Sequence, residues 1–261
     1  MKTLAARLAA WAVFFSLCSA CSERVPGDAS EVKNEDERVV LESGGWRLVG
    51  EWRVPPGSKP VPVPAVLLLH RAAGSRGEYA ELARALAGRG VASLRLDLRG
   101  HGDSDNLGRF EEPYAENRGV LENTHEDINV ALRWIAAHPR VDANRLAAVG
   151  ASYSGEAVGE ALRAGGETVS AYVMLSPGSF SDESIAQVDA SGAPWLFIRT
   201  SEEDEVSLEF IDAVFDALVS DSESAEITVI PGAGHATRIF DAHPFVIEQI
   251  ADWLAQRLGS S

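Results

Sequence analysis

The chain has 261 residues, enough to bury a full α/β-sized core without help from disulfides or a bound metal. Apolar residues make up 46% and charged residues 24%, a globular balance that excludes a fibrous or disordered protein. A formal charge of −16 repels phosphate backbones and argues against a nucleic-acid partner; both cysteines, Cys18 and Cys21, fall in the first 21 residues, so the rest of the chain has neither a disulfide framework nor a thiolate metal site.

The N-terminus has the three parts of an export signal: basic Lys2 and Arg7, the apolar run Leu8 to Leu17, and the small residues Cys18-Ser19-Ala20 before a cleavage point. The run is short for a membrane span. Cys21 stands where bacterial lipoprotein signals carry the cysteine that is acylated, although Cys18 occupies a place where that pattern takes leucine; ordinary cleavage after Ala20 is the alternative. Residues 1–21 are therefore expected to be a signal peptide. The protein is expected to be exported to the bacterial periplasm or anchored at the outer membrane through lipidated Cys21, with no other membrane contact. Residues 22–38, polar and acidic with Pro26, Gly27 and Glu35-Asp36-Glu37, read as a flexible tether to a domain spanning 39–261.

Val39–Glu42 and Trp46–Val54, separated by Gly44-Gly45, predict a hairpin at a sheet edge. The Pro-rich stretch 55–64 is a connection. Ala65–His70 is a continuous apolar run, as in a parallel strand covered on both faces. Tyr79–Gly88 has helical spacing and ends at glycine. The alternation continues with strand Val91–Leu98, helix Thr124–His138, strand Arg145–Gly150, helix Ser154–Ala164 and strand Val169–Leu175. Strand Pro194–Thr200, helix Ser207–Val219, strand Ala225–Ile230 and helix Pro244–Leu258 complete it. Such a pattern implies a mostly parallel, eight-stranded twisted sheet with helices on both faces, and a ligand site at the carboxyl ends of the strands.

The residues that follow those strands carry the chemistry. Gly150-Ala151-Ser152-Tyr153-Ser154 joins a strand directly to a helix, and the small residues at 150 and 154 suit a turn too tight for larger side chains. The turn holds the Ser152 hydroxyl above the sheet and leaves the Tyr153 N–H at a helix start, where an oxyanion is stabilised. Ser154 is the weaker nucleophile candidate, because Glu156 would then occupy a position that must be small. A serine hydroxyl needs a base at neutral pH. His235, in the glycine-rich Pro231-Gly232-Ala233-Gly234-His235 after the last strand, is the candidate; His125, His138 and His243 read as surface or loop histidines. The orienting carboxylate comes from Ser201-Glu202-Glu203-Asp204-Glu205-Val206, with Asp204 the first choice and Glu202 the second. The six histidines show no zinc-ligand spacing and no phosphate-binding glycine loop follows a strand, so neither metal nor cofactor is expected.

The chain order Ser152, Asp204, His235 resembles that of the α/β-hydrolase superfamily, and the resemblance extends over roughly residues 39–258. Leu67-Leu68-Leu69-His70 before a glycine-containing loop and Asp97-Leu98-Arg99-Gly100-His101-Gly102-Asp103-Ser104 add to it, as does the stretch Trp134 to Gly155. The resemblance implies a second oxyanion donor in the backbone N–H of Ala72, with Arg71 standing where relatives carry glycine. It implies loop-holding roles for His70 and His101. The short segment Gly178–Ala193 leaves no room for a large cap domain, and Asp105–Asn123 can wall the pocket with Phe110 and Tyr114; Arg71 can meet an anionic substrate group or face solvent. Lidless relatives include dienelactone-hydrolase-like enzymes and small carboxylesterases, although the former proper use a cysteine nucleophile. The expectation is a serine hydrolase that cleaves a small or medium ester through an acyl-enzyme. A peptidase or amidase with the same triad, or a non-catalytic envelope binding protein on the same fold, are the alternatives.

Overall fold

Gly44 and Gly45, both at positive φ, turn β1 (Glu37–Ser43) back on β2 (Trp46–Arg53) as an antiparallel hairpin. In this computed structural model the described residues are 36–57, 62–167, 169–203 and 208–260; the expected signal peptide with Cys21, and most of the expected tether, lie outside them. The tether ends sooner than its composition suggests. Asp36 forms ion pairs with Arg53 and Arg95, and Glu37 already pairs with Trp52 across the hairpin.

The remaining strands are β3 (Val63–Leu69), β4 (Ala92–Leu96), β5 (Val141–Ala151), β6 (Ala171–Leu175), β7 (Trp195–Glu202) and β8 (Ala225–Ala233). With β1 and β2 they form one eight-stranded sheet of order β1-β2-β4-β3-β5-β6-β7-β8, antiparallel in the hairpin and between β2 and β4, and parallel from β4 onward. From β3 the chain moves outward to β4 and then returns past β3 to β5. The carboxyl ends of β3 and β5 thus flank a topological switch point, where open α/β sheets bind their ligands.

The helices are α1 (Ala80–Gly88), α2 (Tyr114–Asn117), α3 (Thr124–Ala136), α4 (Tyr153–Arg163), α5 (Asp182–Ala190), α6 (Leu208–Asp221), α7 (Ile239–Ala242) and α8 (Phe245–Arg257). Alternate side chains of each buried strand face opposite layers. Leu67 and Leu69 join Ile128, Leu132, Ala157, Val188 and Phe215 in one core, whereas Val66 and Leu68 join Leu82, Leu86, Ile250 and Leu254 in the other. Thus α1 and α8 cover one face, and α3, α4, α5 and α6 the other.

Among the elements that differ from expectation are β5 and α5. β5 begins at Val141, before the expected Arg145, because Val63 pairs with Val141 ahead of a register shift. The short segment Gly178–Ala193, for which no helix was predicted, contains α5, whose N-cap Ser181 accepts from the Ser184 N–H and whose first turn carries Asp182 and Glu183. Only Ser184, Ile185 and Val188 of this helix are buried, so its apolar periodicity is faint.

Candidate active site

β5 runs into α4 through Ser152, which has φ 53° and ψ −122°. A non-glycine residue in this region is strained, and the surroundings hold it there. The Ser152 N–H donates to Leu175 O at 2.9 Å, and its carbonyl accepts from the Gly155 N–H at 3.0 Å. Gly150 sits at a close approach: a Cβ there would lie 3.1 Å from Gly155 Cα, Met174 Sδ and Ser154 O, so those neighbours would have to give. Ser154 is fully buried and serves as a tie. Its Oγ accepts from the Ala151 N–H at 2.7 Å and lies within donating distance of Ala151 O and Leu69 O. Because Tyr79 OH also donates to Leu69 O, that carbonyl links the end of β3 to the elbow and to the segment leading into α1.

Ser152 Oγ lies 3.0 Å from His235 Nε2, and His235 Nδ1 lies 2.8 Å from Glu203 Oε2. An ionised carboxylate can only accept, so Nδ1 carries the proton and Nε2 is left with its lone pair toward the serine. The Glu203 side chain is wholly buried, and its other oxygen accepts from the Ser176 hydroxyl at 2.8 Å and the Thr200 N–H at 3.2 Å. Ser176 Oγ also accepts from the Ala236 N–H, and Thr200 Oγ1 donates to Gly234 O. The carboxylate and the histidine loop are therefore held by the same two residues at the ends of β6 and β7.

The partner of His235 is thus Glu203, not the expected Asp204, which lies outside the described residues. The second choice, Glu202, is exposed and pairs with Ala233 at the end of β7. The reason is physical: β7 runs two residues past Thr200 with a register irregularity between Thr200 and Glu202, so the position just after the strand already faces the histidine. A glutamate spans from there with one more methylene than aspartate.

The Tyr153 N–H opens α4, a position with no intrahelical partner. Ala72 lines the same pocket, while the next amide, Ala73 N–H, is taken by His101 Nε2 at 3.2 Å. His70 and His101 tie the loop after β3, which carries Ala72, to the loop after β4. His70 Nε2 accepts from the Leu98 N–H, and its Nδ1–H donates to Arg71 O. Complete burial, reinforced by neighbouring His101, lowers the His70 pKa to about 3; burial also lowers that of His101. Both rings are neutral and neither faces Ser152 as a base. In the loop after β4, Gly102 has φ 51° and a Cβ would fall 2.0 Å from Asp97 Oδ2, while Arg99 is clamped by Asp127.

Arg71 lines the pocket with its side chain 13% exposed. It pairs with Glu78 at 3.2 Å and donates to Ala72 O, and Thr237 OH donates to the same Glu78. Burial raises the Glu78 pKa, with Arg71 opposing that shift. This chain of contacts ties the loop after β3 to the segment after His235. Tyr114 lines the pocket at its exposed rim; Phe110 is buried behind it, stacked on His101 with ring centroids 5.0 Å apart. The pocket has a volume of about 770 Å³ and brings Ser152, His235, Tyr153 and Ala72 to one surface with Phe210, Gly178 and Ser179. Sequence reading did not include Phe210; its position two residues into a helix that follows a catalytic-looking loop is the one signal it carries.

An elbow serine and a loop histidine meeting above the carboxyl ends of a mostly parallel sheet define an α/β-hydrolase. The chain belongs to the serine aminopeptidase S33 family of these proteins, whose model matches residues 60–197. That match includes the elbow and ends before Glu203 and His235. An uncharacterized protein of Mycobacterium tuberculosis is 31% identical over 231 residues, covering 79% of this chain and 75% of its own. Among solved structures, Est1E from Butyrivibrio proteoclasticus with ferulic acid bound is similar with a TM-score of 0.67, at 18% identity over 85% of this chain and 99% of its own. Dienelactone hydrolase from Anabaena variabilis is similar with a TM-score of 0.60, at 20% identity over 85% and 95%. At these identities the two structures speak for the fold.

Proposed function

We propose that this hydrolase is a serine esterase acting on small to medium acyl esters through an acyl-enzyme. The observation that carries the reading is the unbroken relay from Ser152 Oγ to His235 (3.0 Å) to Glu203 (2.8 Å) at the wall of an open pocket. His235 Nε2 takes the Ser152 proton as Oγ attacks the ester carbonyl, and Glu203 stabilises the imidazolium that forms. The Tyr153 and Ala72 N–H groups receive the oxyanion, each worth about 3 kcal/mol by comparison with measured donors. The imidazolium returns its proton to the leaving alcohol. Water, deprotonated by His235, then attacks the acyl-enzyme and releases the acid and free Ser152.

The esterase reading is supported by the pocket's open mouth and by similarity in fold to proteins such as an esterase of Pyrococcus furiosus, at 17% identity. The family's description favours a second reading, removal of an N-terminal amino acid from a peptide by the same relay. Turnover of p-nitrophenyl acetate against aminoacyl p-nitroanilides separates them: the proposal expects turnover of the ester at least 100-fold above the anilide, and a reversed preference makes the protein a peptidase. We also propose that residues 1–21 direct export and that Cys21 is acylated. Mass spectrometry of the mature N-terminus is expected to find diacylglycerol on Cys21; an unmodified Cys21 as first residue would remove the lipid anchor and keep the export.

A further inference from the structure

A second cleft of about 450 Å³ opens beside the first, between the β6–α5 loop and α6. Gly178, Ser179 and Phe210 line both, so the two clefts adjoin at these residues. Its floor is apolar and fixed. Phe180 is buried edge-to-face against Trp195 and Phe197, with centroids at 6.0 and 5.6 Å, and Ile185 and Val214 are buried beside it. Ala213 and Ala217 keep the α6 wall low, and Asp182 supplies a charge at the exposed rim. Phe210 is 65% exposed and stands where the two clefts meet.

We propose that this cleft is an acyl-chain subsite, which makes medium-chain aliphatic esters the substrate class. The proposal rests on the serine-esterase reading. The leaving alcohol must sit against His235 to receive its proton. No residue of the segment 235–243 lines the second cleft, whereas Arg238 and His235 line the first. The chain that enters the second cleft is therefore the one that stays on Ser152 when the alcohol departs. Phe210 acts as the hinge of the passage: its ring covers the first methylenes, and the floor over Phe180 receives the rest.

An open cleft that covers a methylene on about one side corresponds to about twofold in kcat/KM per methylene. Across p-nitrophenyl esters from acetate to octanoate the expected rise is ~50-fold, whereas alkyl acetates of growing alcohol length stay flat. Ala213→Trp, an exposed substitution that fills the cleft, is expected to cut the octanoate-to-acetate ratio at least tenfold. A wild-type profile that is flat in acyl length, a rise confined to the alcohol series, or an unchanged ratio in Ala213→Trp overturns the subsite while leaving the esterase reading in place. Calorimetric titration of Ser152→Ala protein with octanoate needs no turnover. Saturable binding with a negative heat-capacity change, weakened at least tenfold by Ala213→Trp, supports the subsite even if the protein hydrolyses no ester; absence of binding overturns it.

Discussion

At the scale of single residues, the acid on His235 is the informative one. The loop after β7 offered several neighbouring carboxylates, and sequence order alone could not say which side chain turns inward. That choice is made by the strand extension past Thr200 and by the donors waiting at Ser176 and Thr200, which a linear reading does not place together. Ser152 and His235 were legible because a strand–serine–helix junction and a glycine-flanked histidine leave few geometries open. Replacing Glu203 by Gln is expected to lower kcat/KM by on the order of 10³–10⁴, the scale seen when a triad acid is neutralised, while Asp204→Asn stays within about threefold. Steady-state kinetics of the two variants decides between them. Ser176 touches no reacting atom and acts through Glu203. Ser176→Ala is therefore expected to reduce kcat about tenfold with KM unchanged, and Ser176→Thr to restore part of it; a change in KM alone would speak against a positioning role.

At the scale of elements, the elbow is a packing problem solved by small residues. Gly150 faces backbone and Met174 at 3.1 Å, and the Ser154 hydroxyl satisfies a buried amide that glycine would leave to the backbone. Gly150→Ala is expected to cost about 1–3 kcal/mol through forced displacement of the α4 start. Ser154→Ala is expected to cost a similar amount, because it strands the Ala151 N–H in a dry site. Chemical unfolding with both variants measures this. The strands and long helices were readable because their apolar residues recur with period two or 3.6. α5 was missed because its inward face is short, although its Ser181 cap and early acids were in plain view. The start of β5 was missed because Val141 pairs through an irregular register that polar residues interrupt.

At the scale of the whole molecule, the buried histidine at the end of β3 couples stability to pH. His70 has a folded pKa of about 3, below the ordinary value of 6.5, so the unfolded chain binds a proton that the folded one refuses. Stability from this group is fully present above pH 6.5 and is lost progressively as pH falls toward 3. Between pH 7 and pH 5 the expected loss is about 2 kcal/mol, and His70→Gln is expected to flatten that part of the curve in urea titrations even if it lowers stability at pH 7. The same architecture brings Ser152, Glu203 and His235 from the ends of β5, β7 and β8 to one rim of the sheet. The most direct test of that convergence is labelling by a fluorophosphonate, in which Ser152 Oγ displaces fluoride from phosphorus. Rapid modification mapped to Ser152 in the wild type, abolished in Ser152→Ala and slowed at least 1,000-fold in His235→Ala, is the predicted result. Folded wild-type protein that resists the probe, or that is labelled equally fast without His235, would contradict it.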